Sequence, residues 1–133
     1  MKKTPVHLIK TENKKVLVVE DDRGTLEAIS FKLRQNNIPA DQSPNGEDAL
    51  EKIKKTKYDL VLLDLLLPKK SGFDFLRAVK SDPGGKKQKI IVFTNLSEEY
   101  DRTVKDMGAS FYILKATTSI NKLVEMIKNE LGK

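Results

Sequence analysis

Five side chains that could do chemistry stand at the ends of four short apolar runs. They are two neighbouring acids, a third acid, a threonine and a lysine: Glu20, Asp21, Asp64, Thr94 and Lys115. Parallel strands in an open α/β sheet end at one edge, where such sheets bind ligands, so these side chains are expected to share one site. Three carboxylates in one place repel each other unless a cation joins them. Hard oxygen ligands, in a chain with no cysteine and one histidine, predict Mg²⁺, with Mn²⁺ and Ca²⁺ as alternatives.

The elements that must position these residues alternate between strands and helices. Four apolar runs have the length and continuity of strands buried on both faces of a parallel sheet. A fifth segment is polar and begins with proline, which suits a strand at the edge of a sheet. The predicted strands are Val16–Val19, Pro39–Ser43, Leu60–Leu63, Ile90–Phe93 and Phe111–Leu114.

A helix is predicted after each strand. The first carries Leu26, Ile29 and Leu33 on one face, and the second begins at Asn45-Gly46. The other three are predicted at about 72–80, at about 97–107, and after a cap at Thr117, Thr118 or Ser119. Five such units predict an α/β fold with an open parallel sheet covered on both faces, because a closed eightfold barrel needs roughly 250 residues.

Composition narrows the function classes. The 133 residues predict one domain, with a core drawn from 38% hydrophobic residues. The formal net charge of +6 fits nucleic acid, an acidic protein partner or a solvated lysine-rich surface. The solvated surface is favoured because no aromatic residues interleave with the lysines. No run is long enough to span a membrane. We therefore expect a cytoplasmic protein, with residues 1–13 as a flexible extension and 14–133 as the domain.

Four motifs, in order along the chain, resemble the receiver domain of two-component response regulators. They are Val18-Val19-Glu20-Asp21-Asp22, Asp64-Leu65-Leu66-Leu67-Pro68 with Ser71-Gly72, Thr94, and Tyr112-Ile113-Leu114-Lys115. The resemblance covers about residues 14–131. It implies a doubly wound, flavodoxin-like sheet with strand order 2-1-3-4-5, the fold of single-domain chemotaxis regulators.

The resemblance also implies roles for the acids. Asp64 is the phosphoryl acceptor. Glu20, Asp21 and Asp64, with the backbone carbonyl of Leu66, bind Mg²⁺. Lys115 contacts the phosphoryl group as a point charge.

Two further residues are implied as a switch. The Thr94 hydroxyl bonds a phosphoryl oxygen once the group arrives, and Tyr112 then turns inward. The change is expected to be read on the surface of the fourth helix, fifth strand and fifth helix, as a monomer or a weak dimer through that surface.

The sequence departs from the family pattern at three places. Ala116 follows Lys115 where the family usually has proline, which leaves open whether this peptide bond is cis or trans. Asn95 follows Thr94 where a small residue is common. Leu66 and Leu96 occupy the two positions that, in this family, set how water reaches the phosphoryl group, and both are apolar. A long-lived acyl phosphate is therefore expected.

The expected function is that of a stand-alone response regulator. It would take a phosphoryl group from a histidine kinase or histidine phosphotransfer protein and then bind an unknown protein effector, with nucleic-acid binding not expected. It would not be an enzyme beyond self-catalysed phosphorylation and slow autodephosphorylation. The alternative is a pseudo-receiver, a binding module that is never phosphorylated. A phosphatase with an aspartyl nucleophile is disfavoured because it needs an acid where Leu66 stands.

Overall fold

The computed structural model describes residues 14–133, and the predicted flexible extension lies outside this range. One sheet of five parallel strands has the order β2-β1-β3-β4-β5. Its strands are β1 Val16–Val19, β2 Ala40–Ser43, β3 Leu60–Leu63, β4 Ile90–Thr94 and β5 Phe111–Leu114. The predicted fold class and strand order are confirmed, including the polar strand β2 at the edge.

Five helices cover the sheet. They are α1 Arg23–Gln35, α2 Gly46–Lys55, α3 Gly72–Ser81, α4 Asp101–Asp106 and α5 Ile120–Leu131. The apolar faces of α1 and α5 pack in one cluster with alternate strand residues, and α2, α3 and α4 pack in a second cluster with the others. Along β1, Val16 and Val18 lie in the first cluster and Leu17 and Val19 in the second. The strands are apolar throughout because both faces of the sheet are buried.

The helix starts follow from local sequence. Asp22, Asn45, Ser71 and Ser119 each accept a hydrogen bond from a backbone N–H of the first turn that would otherwise lack a partner. Ser119 is therefore the cap of α5 among the three residues predicted for it.

Short 3₁₀ turns modify the expected boundaries. The segment predicted as one helix from about residue 97 begins with a 3₁₀ turn, Glu98–Tyr100, before α4. Lys115–Thr117 forms another 3₁₀ turn directly after β5. Among residues 14–133, every helix is too short or too polar to cross a bilayer.

Candidate functional site

The register of the sheet brings the three acids together. Val19 of β1 is paired with Leu63 of β3, so the residues that follow these two strands leave the sheet side by side. One carboxylate oxygen each from Glu20, Asp21 and Asp64 lies within 4.8 Å of the others. Glu20 and Asp64 are buried at 3% and 5% exposure, whereas Asp21 is exposed. The cluster is therefore buried at Glu20 and Asp64 and open to solvent at Asp21.

Lys115 reaches this cluster from β5, two strands away from β3. Its Nζ donates to Glu20 Oε1 at 2.6 Å and to Asp64 Oδ2 at 2.9 Å. The described chain has no cis peptide bond, so the bond from Lys115 to Ala116 is trans. The missing proline therefore does not keep the lysine from the acids.

The other oxygen of Asp64 is held by β4 and by the loop after β3. Thr94 Oγ1 donates to Asp64 Oδ1 at 2.8 Å, and the Leu66 backbone N–H donates to the same oxygen at 3.1 Å. Thr94 is fully buried. Both carboxylate oxygens of Asp64 are thus oriented by the protein.

Burial and pairing act in opposite directions on the pKa values of Glu20 and Lys115, and a different one of the two prevails at each. Burial raises the pKa of Glu20 above 4.5, more than the hydrogen bonds from Lys115 and the Asp22 N–H lower it. Burial would lower the pKa of the Lys115 ammonium, but its hydrogen bonds to Glu20 and Asp64 raise it above 10.5. Lys115 is therefore protonated and positively charged at neutral pH, while Glu20 accepts a proton more readily than an exposed glutamate.

Tyr112, the second predicted switch residue, lies half-buried beside the loop after β4. Its hydroxyl donates to the Ser97 carbonyl at 2.7 Å and is 3.2 Å from the Leu96 carbonyl. Burial, and then the nearby Asp101 charge, raise its pKa. Tyr112 and Thr94 contact the same loop, because the Leu96 N–H lies 3.4 Å from Thr94 Oγ1.

The two leucines expected to control water occupy different environments. The Leu66 side chain is 51% exposed next to Asp64. Leu96 is partly buried and packs against the apolar cluster under α2, α3 and α4. Only Leu66 is free to change without disturbing the core. Asn95 is exposed.

Two residues were not predicted to shape the site. Asp22 stays outside the acid cluster and caps α1, and its backbone N–H donates to Glu20 Oε2 at 3.0 Å. Gly72 packs so closely on the loop after β3 that an added Cβ would lie 2.4 Å from the Asp64 carbonyl oxygen. Asp22, an N-cap residue type placed directly before an amphipathic helix, is a helix-start signal in the sequence, whereas the Gly72 contact depends on tertiary packing.

The donor set fits a divalent cation. All three side chains offer hard oxygen atoms, which Mg²⁺ prefers. Two of them, Glu20 and Asp64, are already bridged by a positive charge, the Lys115 ammonium. The exposed Asp21 carboxylate leaves a route for an ion from solvent.

Comparison with known proteins assigns the chain to a family. The response regulator receiver domain family matches residues 16–128. The chain belongs to this family. The receiver is 41% identical over 102 residues to the transcriptional regulatory protein DltR of Streptococcus agalactiae, a match that covers 76% of this chain and 45% of that protein. It therefore spans about half the length of this relative.

Solved structures support the same assignment. The BeF3-activated N-terminal receiver domain of Klebsiella pneumoniae RstA is 33% identical, with a TM-score of 0.81 over 90% of this receiver and 100% of that chain. Response regulator TrrA of Thermotoga maritima, solved in complex with Mg²⁺-BeF, is 31% identical, with a TM-score of 0.77 over 88% and 98%. Receiver domains bind Mg²⁺ at an acidic cluster, which in this chain is Glu20, Asp21 and Asp64.

Proposed function

We propose that this receiver accepts a phosphoryl group on Asp64 from a histidine kinase or a histidine phosphotransfer protein. The observation that carries the proposal is the convergence of three carboxylates and the Lys115 ammonium at one sheet edge. A structural ion pair would need one acid and one base. Three acids beside one lysine leave an excess of negative charge, which favours the binding of a second cation.

The residues have separate roles in the transfer. An Asp64 oxygen attacks the phosphorus, and the phosphorus–nitrogen bond of the phosphohistidine breaks with its electron pair going to the imidazole. Glu20, Asp21 and Asp64, with the Leu66 carbonyl, would hold Mg²⁺. When bound, this ion supplies positive charge to the acceptor and phosphoryl oxygens. Lys115 and Thr94 are within reach to contact the phosphoryl oxygens, because both already bond Asp64.

The switch would act through Thr94 and Tyr112. Once Asp64 carries a phosphoryl group, the Thr94 hydroxyl exchanges its bond to Oδ1 for one to a phosphoryl oxygen. That exchange pulls on the Leu96–Ser97 backbone, which Tyr112 holds from the other side. The consequence is a change on the face of α4, β5 and α5, where an effector protein or a second receiver in a weak dimer would bind.

The output, the cellular location and the rate of dephosphorylation are also predicted. Output through binding to a protein effector is a prediction, and the relative DltR is a transcriptional regulatory protein. A cytoplasmic location and slow autodephosphorylation without other enzyme activity are predictions as well.

Phosphorylation with a small donor tests the proposal. We expect the protein, incubated with Mg²⁺ and acetyl phosphate, to gain the mass of one phosphoryl group by intact mass spectrometry. Asp64→Ala should gain none, and chelation of Mg²⁺ should suppress the gain. Unchanged mass in the wild-type protein would favour the pseudo-receiver, for which Ala116 in place of proline is the main support.

A further inference from the structure

A groove lies at the N-terminal ends of the parallel strands, opposite the end that carries Asp64. It is formed between the C-terminal ends of α2 and α3. Its volume is about 1040 Å³. Its apolar lining comes from both helices and from the start of β3: Leu50, Ile53, Tyr58, Ala78 and Val79. Tyr58 precedes Asp64 by six residues, so the groove is roughly 20 Å from the acceptor along the strand. None of the residues proposed for phosphorylation lines it.

The rim of this α2–α3 groove is strongly basic. Lys54, Lys55, Lys57 and Lys87 line it and are exposed, and Asp82 is the acid beside them. Within residues 14–133, none of these four lysines makes an ion pair, whereas Lys52, one turn earlier on α2, pairs with Asp48. Unpaired charges of one sign around a concave surface raise the local potential and attract an oppositely charged group.

A smaller cavity extends the basic surface. It has a volume of about 240 Å³ and shares Tyr58, Lys87 and Gln88 with the groove. Lys14, Lys89 and Lys133 also line it, together with Asp59 and Glu130. The larger groove is the one with an apolar floor and few acids.

We propose that the α2–α3 groove docks an acidic, amphipathic segment of a partner protein. Apolar side chains of the segment would contact Ala78 and the partly buried Leu50 and Ile53, while its carboxylates pair with the rim lysines. This docking does not require phosphorylation.

Three other occupants fit the groove less well. A nucleic acid would gain no stacking, because Tyr58 is only 5% exposed and is the one aromatic residue in the lining. A membrane surface needs projecting apolar side chains, and in the described chain the large exposed ones are Phe31 and Leu66, which do not line the groove. The chain's own residues 1–13 contain three lysines, a histidine and one glutamate, so their charge is not complementary.

Designed peptides test the proposal directly. The probe is a fluorescein-labelled helical peptide of roughly 18 residues with leucine on one face and glutamate elsewhere, long enough to keep some helix in water. In the matched peptide serine replaces leucine. We expect the leucine peptide to raise the fluorescence anisotropy saturably, and the serine peptide to bind about tenfold or more weakly. Equal affinity for both peptides would overturn the role of the apolar floor.

Charge-matched variants locate the binding. Lys54→Glu combined with Lys87→Glu should weaken the leucine peptide about tenfold or more. Arg102→Glu combined with Lys122→Glu changes the net charge equally at exposed positions away from the groove and should leave the affinity unchanged. Ala78→Gln should obstruct the apolar floor and weaken binding, whereas Ala28→Gln, at another exposed helical position on α1, should have no effect.

The remaining outcomes separate the alternatives. Equal weakening by the groove pair and the control pair would mean nonspecific charge attraction and would refute the proposal. So would displacement of the peptide by single-stranded DNA or by phosphatidylglycerol vesicles at lower concentration than by unlabelled peptide. All variants should retain wild-type melting profiles and phosphorylation by acetyl phosphate. Failure of the peptide to bind the groove would therefore not bear on the proposed phosphorylation of Asp64.

Discussion

At the residue scale, the Lys115 ammonium neutralises part of the negative charge of the acid cluster, as a bound cation would. Its ammonium bridges Glu20 and Asp64, with 16% of its side chain exposed. Because this group is charged far above neutral pH, it competes with any second cation for the same oxygens. The same proximity places it against an incoming phosphoryl group. We therefore expect this one side chain to affect both the stability of the acid cluster and its affinity for Mg²⁺.

Replacing Lys115 with methionine should separate these effects. Without Mg²⁺, Lys115→Met leaves the buried Glu20 without its ion-pair partner. We therefore expect the free energy of unfolding to fall by about 3 kcal/mol, the lower end of the range for breaking a buried ion pair. With Mg²⁺, the variant should recover more stability than the wild type gains, because the competing ammonium is gone. Thermal unfolding with and without Mg²⁺ measures both effects.

The control for this prediction is Lys122→Met, which replaces an exposed lysine on α5. It should change neither the melting temperature nor the response to Mg²⁺. An equal Mg²⁺ response in wild type and Lys115→Met would show that the ammonium does not compete for the acidic oxygens.

Leu66 is the residue best placed to control water at Asp64. Its side chain is half exposed beside the acceptor, and it cannot orient an attacking water. Leu66→Asn should speed loss of the phosphoryl group on the order of tenfold, below full acid–base catalysis because an amide orients water without taking its proton. The decay of phosphorylated protein after removal of acetyl phosphate gives the rate.

Two further variants at this position separate exclusion from orientation. Leu66→Met keeps the bulk and should decay like the wild type, while Leu66→Ala opens space without a polar group and should lie between. Decay of Leu66→Asn at the wild-type rate would contradict any part for this side chain in shielding the acyl phosphate.

Residue types and strand ends were sufficient to predict which side chains converge. Glu20, Asp21 and Asp64 follow apolar runs, and parallel pairing leaves their positions little freedom. Lys115 was predicted to share the site, but its exact reach stayed open, because Ala116 stands where the family usually has proline. The trans bond and the following 3₁₀ turn depend on the folded loop and could not be predicted from the sequence. The hydrogen bond between Thr94 and Asp64 without a phosphoryl group was also unexpected, because it depends on side-chain rotamers.

At the element scale, the start of α3 fixes the loop that carries Asp64. The Gly72 N–H donates to the Leu65 carbonyl at 3.1 Å, and an added Cβ would lie 2.4 Å from both Asp64 O and Leu65 Cα. These are backbone atoms of a site loop, so they cannot move aside without moving the acceptor. The close approach is a requirement for glycine that the Ser71-Gly72 helix start does not reveal by itself.

Gly72→Ala should therefore impair both stability and phosphorylation. We expect a loss of about 1–3 kcal/mol from overpacking, together with slower phosphorylation by acetyl phosphate. Urea unfolding and the initial rate of mass gain are the measurements. Gly24→Ala is the matched control, because its nearest neighbour would be Asp22 Oδ2 at an ordinary 3.7 Å, and alanine in α1 should stabilise by about 0.5–1 kcal/mol. Similar behaviour of the two variants would rule out the proposed packing role.

Element boundaries were predictable where local signals were strong. Pro39 and the polar residues after it placed β2 at the edge, and Asn45 marked the start of α2 through its capping side chain. For α5 the sequence offered three adjacent capping residues, and Ser119 is the one that caps. The onset of α4 was less predictable, because Ser97 supports a 3₁₀ turn and the Tyr100 N–H bonds the Ser97 carbonyl rather than starting an α-helix. Short helices with few buried residues leave such choices to tertiary contacts.

At the scale of the whole molecule, a hydrogen bond joins the edge strand β2 to the segment that leads into the central strand β3. The Tyr58 hydroxyl donates to Asp41 Oδ2 at 2.6 Å, and Lys15 Nζ lies 3.3 Å from the same oxygen. Burial and the Asp41 carboxylate raise the pKa of Tyr58 to about 12. Burial would raise the pKa of Asp41, but the bonds from Tyr58 and Lys15 lower it below 3.8. Both shifts favour the bonded pair in the folded state.

The pH dependence of stability follows from these directions. The folded protein keeps the Tyr58 proton where an unfolded chain, with a pKa of 10.0, releases it, so this contribution is complete below pH 10.0 and is lost as pH rises toward about 12. Tyr58→Phe should lower the unfolding free energy at pH 7 by about 1.5 kcal/mol, the lower end for a bond to a charged group, because Asp41 is partly exposed. The difference between the two proteins should then shrink above pH 10.0. Urea unfolding from pH 7 to 11.5 measures it, with Tyr100→Phe as the control. A constant difference across this range would exclude the Tyr58 proton as its source.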